Sequence, residues 1–242
     1  MTTGLTYSEY VSQIATLAVV DENDQAFVTI LPQMITYAEN RIYRDLDFLN
    51  TSTSVTGYSL SAGLRTLTIP EGTIVVSEQM NILTPAGQTD PNDGSVTRNA
   101  CLPVTKQFLD AVWGSNLNAN RGMPRYFAPF NDNVFLFGPV PDQAYGVEIV
   151  GTYRPASLSG TNTSTFISKF LPDLLIMASM IYVSAYQRNF GRANDDPQMA
   201  VTYESQYNAL LKGALIEEAR KKFESSGWAS QSPTPAATPS RG

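Results

Sequence analysis

Apolar residues recur at helical spacing near both ends of this chain and at strand spacing through its middle. Tyr10, Val11, Ile14, Leu17 and Ala18 form a first stripe. It follows Thr6, which stands three residues before Glu9, the spacing of a capping box. A second helical region follows Asp24: Phe27, Leu31, Met34, Ala38, Ile42 and Leu46 share one face, and Glu39, Arg41, Arg44 and Asp45 fall on others. Pro32 is expected near the first turn of that helix, where its missing N–H is harmless, or at a kink.

From Asn50 to about Ser164 the pattern shortens. "TSTSVTG", "LRTLTIP" and "TIVVSEQMNILTP" have strand composition, "AGQTDPNDGSVTRN" reads as a polar loop, and "VTKQFLDAVWGS" as one short helix. Between Pro124 and Pro155, Phe127, Phe130, Phe135 and Phe137 crowd round a polar turn, and Val147, Ile149 and Tyr153 alternate with Glu148, Val150 and Thr152. This predicts a hairpin followed by another strand.

Helical spacing then resumes. Pro172 stands just inside a start, followed by "DLLIMASMIYVSAYQRNF" and a stop at Gly191. Asp195 or Asp196 is expected to cap a last helix, with Pro197 in its first turn and Met199, Tyr203, Tyr207, Leu210, Leu211, Ala214 and Leu215 on its inner side. Glu217 with Lys221 and Glu218 with Lys222 have the favourable i,i+4 order, worth about 0.2–0.5 kcal/mol each. Gly227 ends the pattern.

The expected fold is α+β: a bundle of about four helices interrupted by a β-rich, sandwich- or barrel-like insertion, with an extended C-terminal tail. The expected domains are residues 1–49 with 165–227 as a discontinuous helical domain, 50–164 as the β-rich insertion, and 228–242 as an extended arm. The arm, "WASQSPTPAATPSRG", has too little apolar surface beyond Trp228 to offset its ordering entropy unaided.

Composition narrows the function. At 43% hydrophobic the 242-residue chain can bury a real core. A net charge of −6 argues against a protein that grips phosphates with a basic face, and leaves open one that nucleic acid merely passes through. Histidine is absent, which removes the commonest metal ligand and any Ser-His-Asp arrangement. The lone Cys101 is expected to be a buried, inert thiol. No phosphate-cradling glycine motif occurs, the N-terminus shows no signal peptide, and the apolar run from Leu174 to Tyr186 is too short for a bilayer. No cofactor or metal is expected.

The carboxylate pairs are Glu71 with Glu78, Asp45 with Asp47, and Asp195 with Asp196. Capping and solvation account for them better than catalysis. Tyr182 and Tyr186, and Tyr203 and Tyr207, have the four-residue spacing of one helix face, and core or subunit contact explains them better than base stacking. In "AENRIYRDLD", Arg41 and Arg44 are balanced by Glu39, Asp45 and Asp47, a solvated or inter-subunit charge face.

The order of elements resembles the head-to-tail adaptor (connector) proteins of short-tailed bacteriophages. The likeness is carried by "AENRIYRDLD" (Ala38–Asp47), "GMPRYFAPFNDNVFLFGPVPD" (Gly122–Asp142), "FLPDLLIMASMIYVSAY" (Phe170–Tyr186) and "YESQYNALLKGALIEEARKK" (Tyr203–Lys222). It implies a structural, non-enzymatic virion protein at the head–tail junction, assembled in the host cytoplasm. It also implies a homo-oligomeric ring, usually of twelve copies, under the capsid portal, with nozzle or tail proteins below and duplex DNA passing through the lumen. An extended C-terminus reaching the portal makes Trp228, Pro233, Pro235 and Arg241 expected portal contacts, and Arg41, Arg44, Tyr182 and Tyr186 are expected at the subunit interface. Two alternatives stay open: a tail-tube or nozzle protein, and a carbohydrate-binding or glycoside-cleaving protein using Glu71, Glu78 or Asp142 as acids.

Overall fold

The computed structural model describes residues 4–188 and 199–226. Helices α1 (Tyr7–Ala18) and α2 (Gln25–Asp45) come first. Strands β1 (Ser52–Leu60), β2 (Thr66–Thr68), β3 (Val76–Thr84) and β4 (Thr97–Pro103) follow. Helix α3 (Lys106–Val112) then precedes β5 (Tyr126–Pro129), β6 (Val134–Gly138) and β7 (Tyr145–Thr152). Helices α4 (Phe166–Phe170), α5 (Pro172–Arg188) and α6 (Met199–Ser226) close the chain. The class is α+β with a β-rich insertion. The chain divides into two compact units, one formed by the segments up to Asn50 and from Ala156, the other by Thr51–Pro155.

In the helical unit, α5 is central and packs against α1, α2, α4 and α6. Its sequence is apolar nearly all round, as a helix enclosed on every side requires, and Leu174, Leu175, Ala178, Ser179, Met180 and Val183 are all buried. The predicted face of α2 is also buried in full, from Phe27 to Leu46. The capping box at α1 is formed, with Glu9 N–H donating to Thr6 Oγ1 and Thr6 N–H to Glu9 Oε2. Asp24 caps α2 by accepting from Ala26 and Phe27 N–H. Because that cap starts the helix early, Pro32 lies well inside α2 rather than in its first turn. Helix α4, capped by Thr165, is not legible in the sequence pattern.

In the β unit the strand order is β1-β7-β3-β4-β5-β6-β2, and the edge strands β1 and β2 also approach one another, giving a nearly closed barrel. All ladders are antiparallel except β4 with β5. Met80, Ile82, Cys101, Phe127, Phe135, Phe137, Val147 and Ile149 fill the interior. The expected hairpin is β5–β6, and the expected following strand, β7, runs between β1 and β3. Helix α3 lies on the outer face, where Leu109 packs with Ala128 and Leu136. It approaches so closely that a Cβ at Gly138 would come within 2.7 Å of Leu109 and Trp113 side-chain atoms.

Candidate functional site

Helices α2 and α6 are clasped by charge. Arg41 donates to both carboxylate oxygens of Glu204, at 2.8 and 2.5 Å, and its guanidinium lies 4.3 Å from the centroid of the Tyr207 ring. Tyr207 is buried, and its hydroxyl donates to Asp45 at 2.7 Å. Burial first, and then that carboxylate, push the phenol above its ordinary range, so it remains a proton donor. A second fastening lies further along α6. Lys221 donates to Glu218 at 2.7 Å and pairs with Glu217 at 2.8 Å, and Lys222 pairs with Asp47. Glu218, expected in an i,i+4 pair with Lys222, is buried, because it continues the inward line of Tyr207 and Ala214.

Two further buried carboxylates, Glu39 in the helical unit and Glu148 in the barrel, have distinct partners. Glu39, expected on a solvated or inter-subunit charge face of α2, is only 1% exposed within the chain. It sits between Ile35, Ala38 and Ile42 and is covered by the returning chain, whose Leu158 N–H and Thr165 hydroxyl donate to it at 3.2 Å. Burial raises its pKa, and the bonds from Ser157, Leu158 and Thr165 offset that only partly. Glu148, on β7, faces away from the barrel interior. It accepts from Ser54 at 2.9 Å, Asn81 at 2.8 Å and Arg98 at 2.9 Å. Burial acts upward here too, but Asn81, Arg98 and Ser54 outweigh it and lower the pKa.

The barrel wall carries two open grooves. One, of about 440 Å³, runs between the start of β3 and the β5–β6 turn, bordered by the exposed Val75, Val76 and Phe130. The other, of about 430 Å³, lies between the β1–β2 loop and the end of α3, lined by Leu64, Arg65, Asp110, Trp113 and Asn116. Arg65 and Lys106 both reach Asp110, at 2.6 Å, and Lys106 and then Arg65 hold its carboxyl below the usual range. Arg121 donates to Asn116, whose amide in turn donates to the Gly63 carbonyl.

The residues singled out in the sequence are dispersed. Arg41 is committed within the chain to Glu204 and Tyr207, Arg44 is exposed, and Tyr182 packs against Tyr37 with ring centroids 5.6 Å apart. Tyr186 belongs to α5, but its side chain is outside the described residues. Trp228, Pro233, Pro235 and Arg241 also lie outside them, as do Asp195, Asp196 and Pro197. Glu71 is exposed in the turn before β3, Glu78 is exposed at a bulge in β3, and Asp142 is exposed in the β6–β7 loop, where it accepts from Tyr145. None of the three lines either of the two grooves described above. Burial pushes the Cys101 thiol up to about 12, so it stays protonated. Among the described residues no group of His, Cys, Asp or Glu could hold a metal ion, and no helix is long and apolar enough to cross a membrane.

The arrangement thus offers fastened helices and grooved, charged outer walls, features suited to contact with other proteins. A comparison with curated proteins gave no match. A comparison with family models matched residues 5–234 to the family described as SU10 adaptor protein. That match spans nearly the whole sequence, both the helical segments and the barrel between them, and the chain therefore belongs to the SU10 adaptor family of phage head–tail adaptors.

Proposed function

We propose that this adaptor closes into a ring, of about twelve copies as adaptors of this type usually do, between the capsid portal and the tail nozzle. Duplex DNA passes through its lumen without being held. The observation that carries the reading is the family match across residues 5–234. As an adaptor the chain is a virion component that contacts other virion proteins. A net charge of −6 suits a conduit, since an acidic wall repels the phosphate backbone. Assembly takes place in the host cytoplasm, and the role is structural rather than enzymatic. The C-terminal arm, with Trp228, Pro233, Pro235 and Arg241, docks on the portal. Arg44, Tyr182 and Tyr186 contribute to the subunit contact, with Arg41 holding α6 in place behind them.

The test is the mass of the purified chain, alone and mixed with the portal of its phage. A defined ring on the portal is the expected result. Truncation after Gly227 is expected to leave the melting temperature nearly unchanged and to abolish stable attachment. A chain that ignores portal but joins a tail protein would move the assignment to the tail tube or nozzle.

A further inference from the structure

Helix α6 has two sides of different character. Tyr207, Ala214 and Glu218 point inward and are buried. On the other side Lys212, Leu215, Ile216, Ala219 and Arg220 stand three and four residues apart, and all are exposed. Leu215, expected on the inner side of this helix, is 45% exposed, and Ile216 is 55% exposed. Such spacing marks a stripe that a helix ordinarily buries against another element, yet here it lies open. Lys221 and Lys222 are held by Glu217, Glu218 and Asp47, but among the described residues neither Lys212 nor Arg220 pairs with a carboxylate.

The corner between α1 and α2 has the opposite chemistry. Before Arg41 the sequence contains no lysine or arginine. Asp21, Glu22 and Asp24 are exposed there and accept from neutral donors: Asn23, the Ser12 hydroxyl, and the Ala26 and Phe27 N–H groups. Val19 ends α1 in the left-handed conformation, at φ 55° and ψ 45°, and is 76% exposed. A β-branched residue is strained in that conformation, where glycine or asparagine would be at ease. The chain thus holds an apolar side chain out into solvent against its own backbone preference, with Leu17 exposed two residues earlier. Helix α2 separates the two surfaces. Asp24 caps its first turn, and its far end meets α6 through Asp45 with Tyr207, Asp47 with Lys222, and Leu49 N–H with Glu218. Its 21 residues, at about 1.5 Å each, put about 30 Å between them. One chain cannot lay its corner on its own α6 face, but two copies can do so. Different, complementary patches at opposite ends of a subunit are what a head-to-tail contact requires.

We infer that the outer face of α6, from Lys212 to Arg220, receives the α1–α2 corner of a neighbouring copy of this chain. Lys212 and Arg220 meet Asp21 and Glu22 of that copy, and Leu215 and Ile216 pack against its Leu17 and Val19. Arg44, exposed near the far end of α2, adds a third cation on the receiving side. The inference rests on the ring reading above, and it names the two surfaces through which neighbours in that ring would join. Charge also selects the pairing, since corner against corner would oppose carboxylates and face against face would oppose cations.

The experiment uses the full chain assembling on the phage portal, followed by electron microscopy and native mass, with thermal melting to check each fold. Asp21→Asn with Glu22→Gln keeps both acceptor oxygens and removes the charge. The concentration needed for ring closure should rise by about tenfold, and wild-type closure should weaken with salt. Val19→Asn relieves the backbone, so it should leave the melting temperature unchanged or higher while still weakening closure, a split that a purely structural valine would not give. Charge reversal on one side, Asp21→Lys with Glu22→Lys or Lys212→Glu with Arg220→Glu, should block closure. Mixing the two reversed chains should restore it, since each then offers the other a matching surface. Folded reversed chains that close alone at the wild-type concentration would overturn the contact and leave the ring reading standing. Normal rings of those chains that no longer take up a tail protein would overturn it too, and reassign the surface to that protein. A wild-type chain that never forms a ring would remove the ring reading and this contact together.

Discussion

Glu39 in the helical unit and Glu148 in the barrel are both buried, Glu39 the more deeply, and their surroundings drive them in opposite directions. In the helical unit Glu39 meets only neutral donors, a backbone N–H and hydroxyls, so desolvation dominates and the protonated form is favoured. In the barrel Glu148 meets a guanidinium as well as an amide and a hydroxyl, so the charged form is favoured despite burial. Deeper burial without a cation raises the one, and hydrogen bonds from Asn81, Arg98 and Ser54 lower the other. Glu39 therefore favours its unit at lower pH and Glu148 favours its own at higher pH.

The largest effect that would break this comparison concerns independence of the units. The β unit carries its own aromatic and aliphatic interior, whereas α1 and α2 bury their stripes against α5. Residues 51–155 expressed alone should melt cooperatively, and residues 1–49 alone should show no transition by circular dichroism. A cooperative 1–49 fragment would mean that the helical unit is not built from both ends of the chain.

Next in size is one substitution made at both acids. Glu148→Gln leaves Arg98 without its counter-charge and should destabilise the chain by about 1–2 kcal/mol in urea unfolding at neutral pH, a figure reduced because Arg98 is half in solvent. Glu39→Gln keeps an acceptor for Leu158 and Thr165 and removes a buried charge, so it should change stability by less than about 0.5 kcal/mol or increase it. Equal losses would show that cation pairing does not separate the two sites.

The pH dependence sharpens the same point. Glu39, with its folded pKa raised, contributes most below the unfolded value of about 4.3, and that contribution fades as pH rises through the folded value. Glu148, with its folded pKa lowered, contributes above about 4.3 and loses its contribution as pH falls through its folded value. Hydrogen exchange should therefore show the helical unit gaining protection as neutral solution is acidified toward about pH 4.3, and the barrel losing it at lower pH. Each Gln variant should flatten the response of its own unit.

The smallest effect belongs to the α2–α6 clasp. Arg41→Lys loses the two-point grip on Glu204 and the planar stack on Tyr207, and should cost about 0.5–1 kcal/mol, since the pair is partly exposed. The loss should appear as faster exchange in α6 and leave the barrel untouched.

Local periodicity carries much of this architecture. The stripe from Phe27 to Leu46 and the enclosed run of α5 are buried as their spacing demands, and the Thr6–Glu9 and Asp24 caps are formed. Glu39 and Glu218 are readable in position, since each interrupts an apolar line, but a charged side chain by itself signals solvent. Their partners lie far off: Leu158 and Thr165 belong to a segment with no period of its own, and Leu49 N–H reaches Glu218 across 169 positions. For Glu148 the alternation points to the correct face, outward. It holds no sign that the outer face is covered there, with the β3–β4 loop lying so close over Gly146 that a Cβ would meet the Gln88 backbone. The α3 groove joins residues from the β1–β2 loop and a helix some forty-five positions later, as in Arg65 with Asp110, and no short motif announces such a meeting.

The β ladder also has a mechanical side. The barrel's first and last strands are antiparallel neighbours, and Ser52 stands directly opposite Thr152, so the chain enters and leaves the unit at a single rung. Tension applied through the two connecting segments would fall on that rung first and then on each later one in turn, like a zipper opened from its end. Hydrogen bonds loaded one after another yield at a fraction of the force needed to slide the strands in parallel. The helical unit has no such single rung, since α5 packs against both α2 and α6.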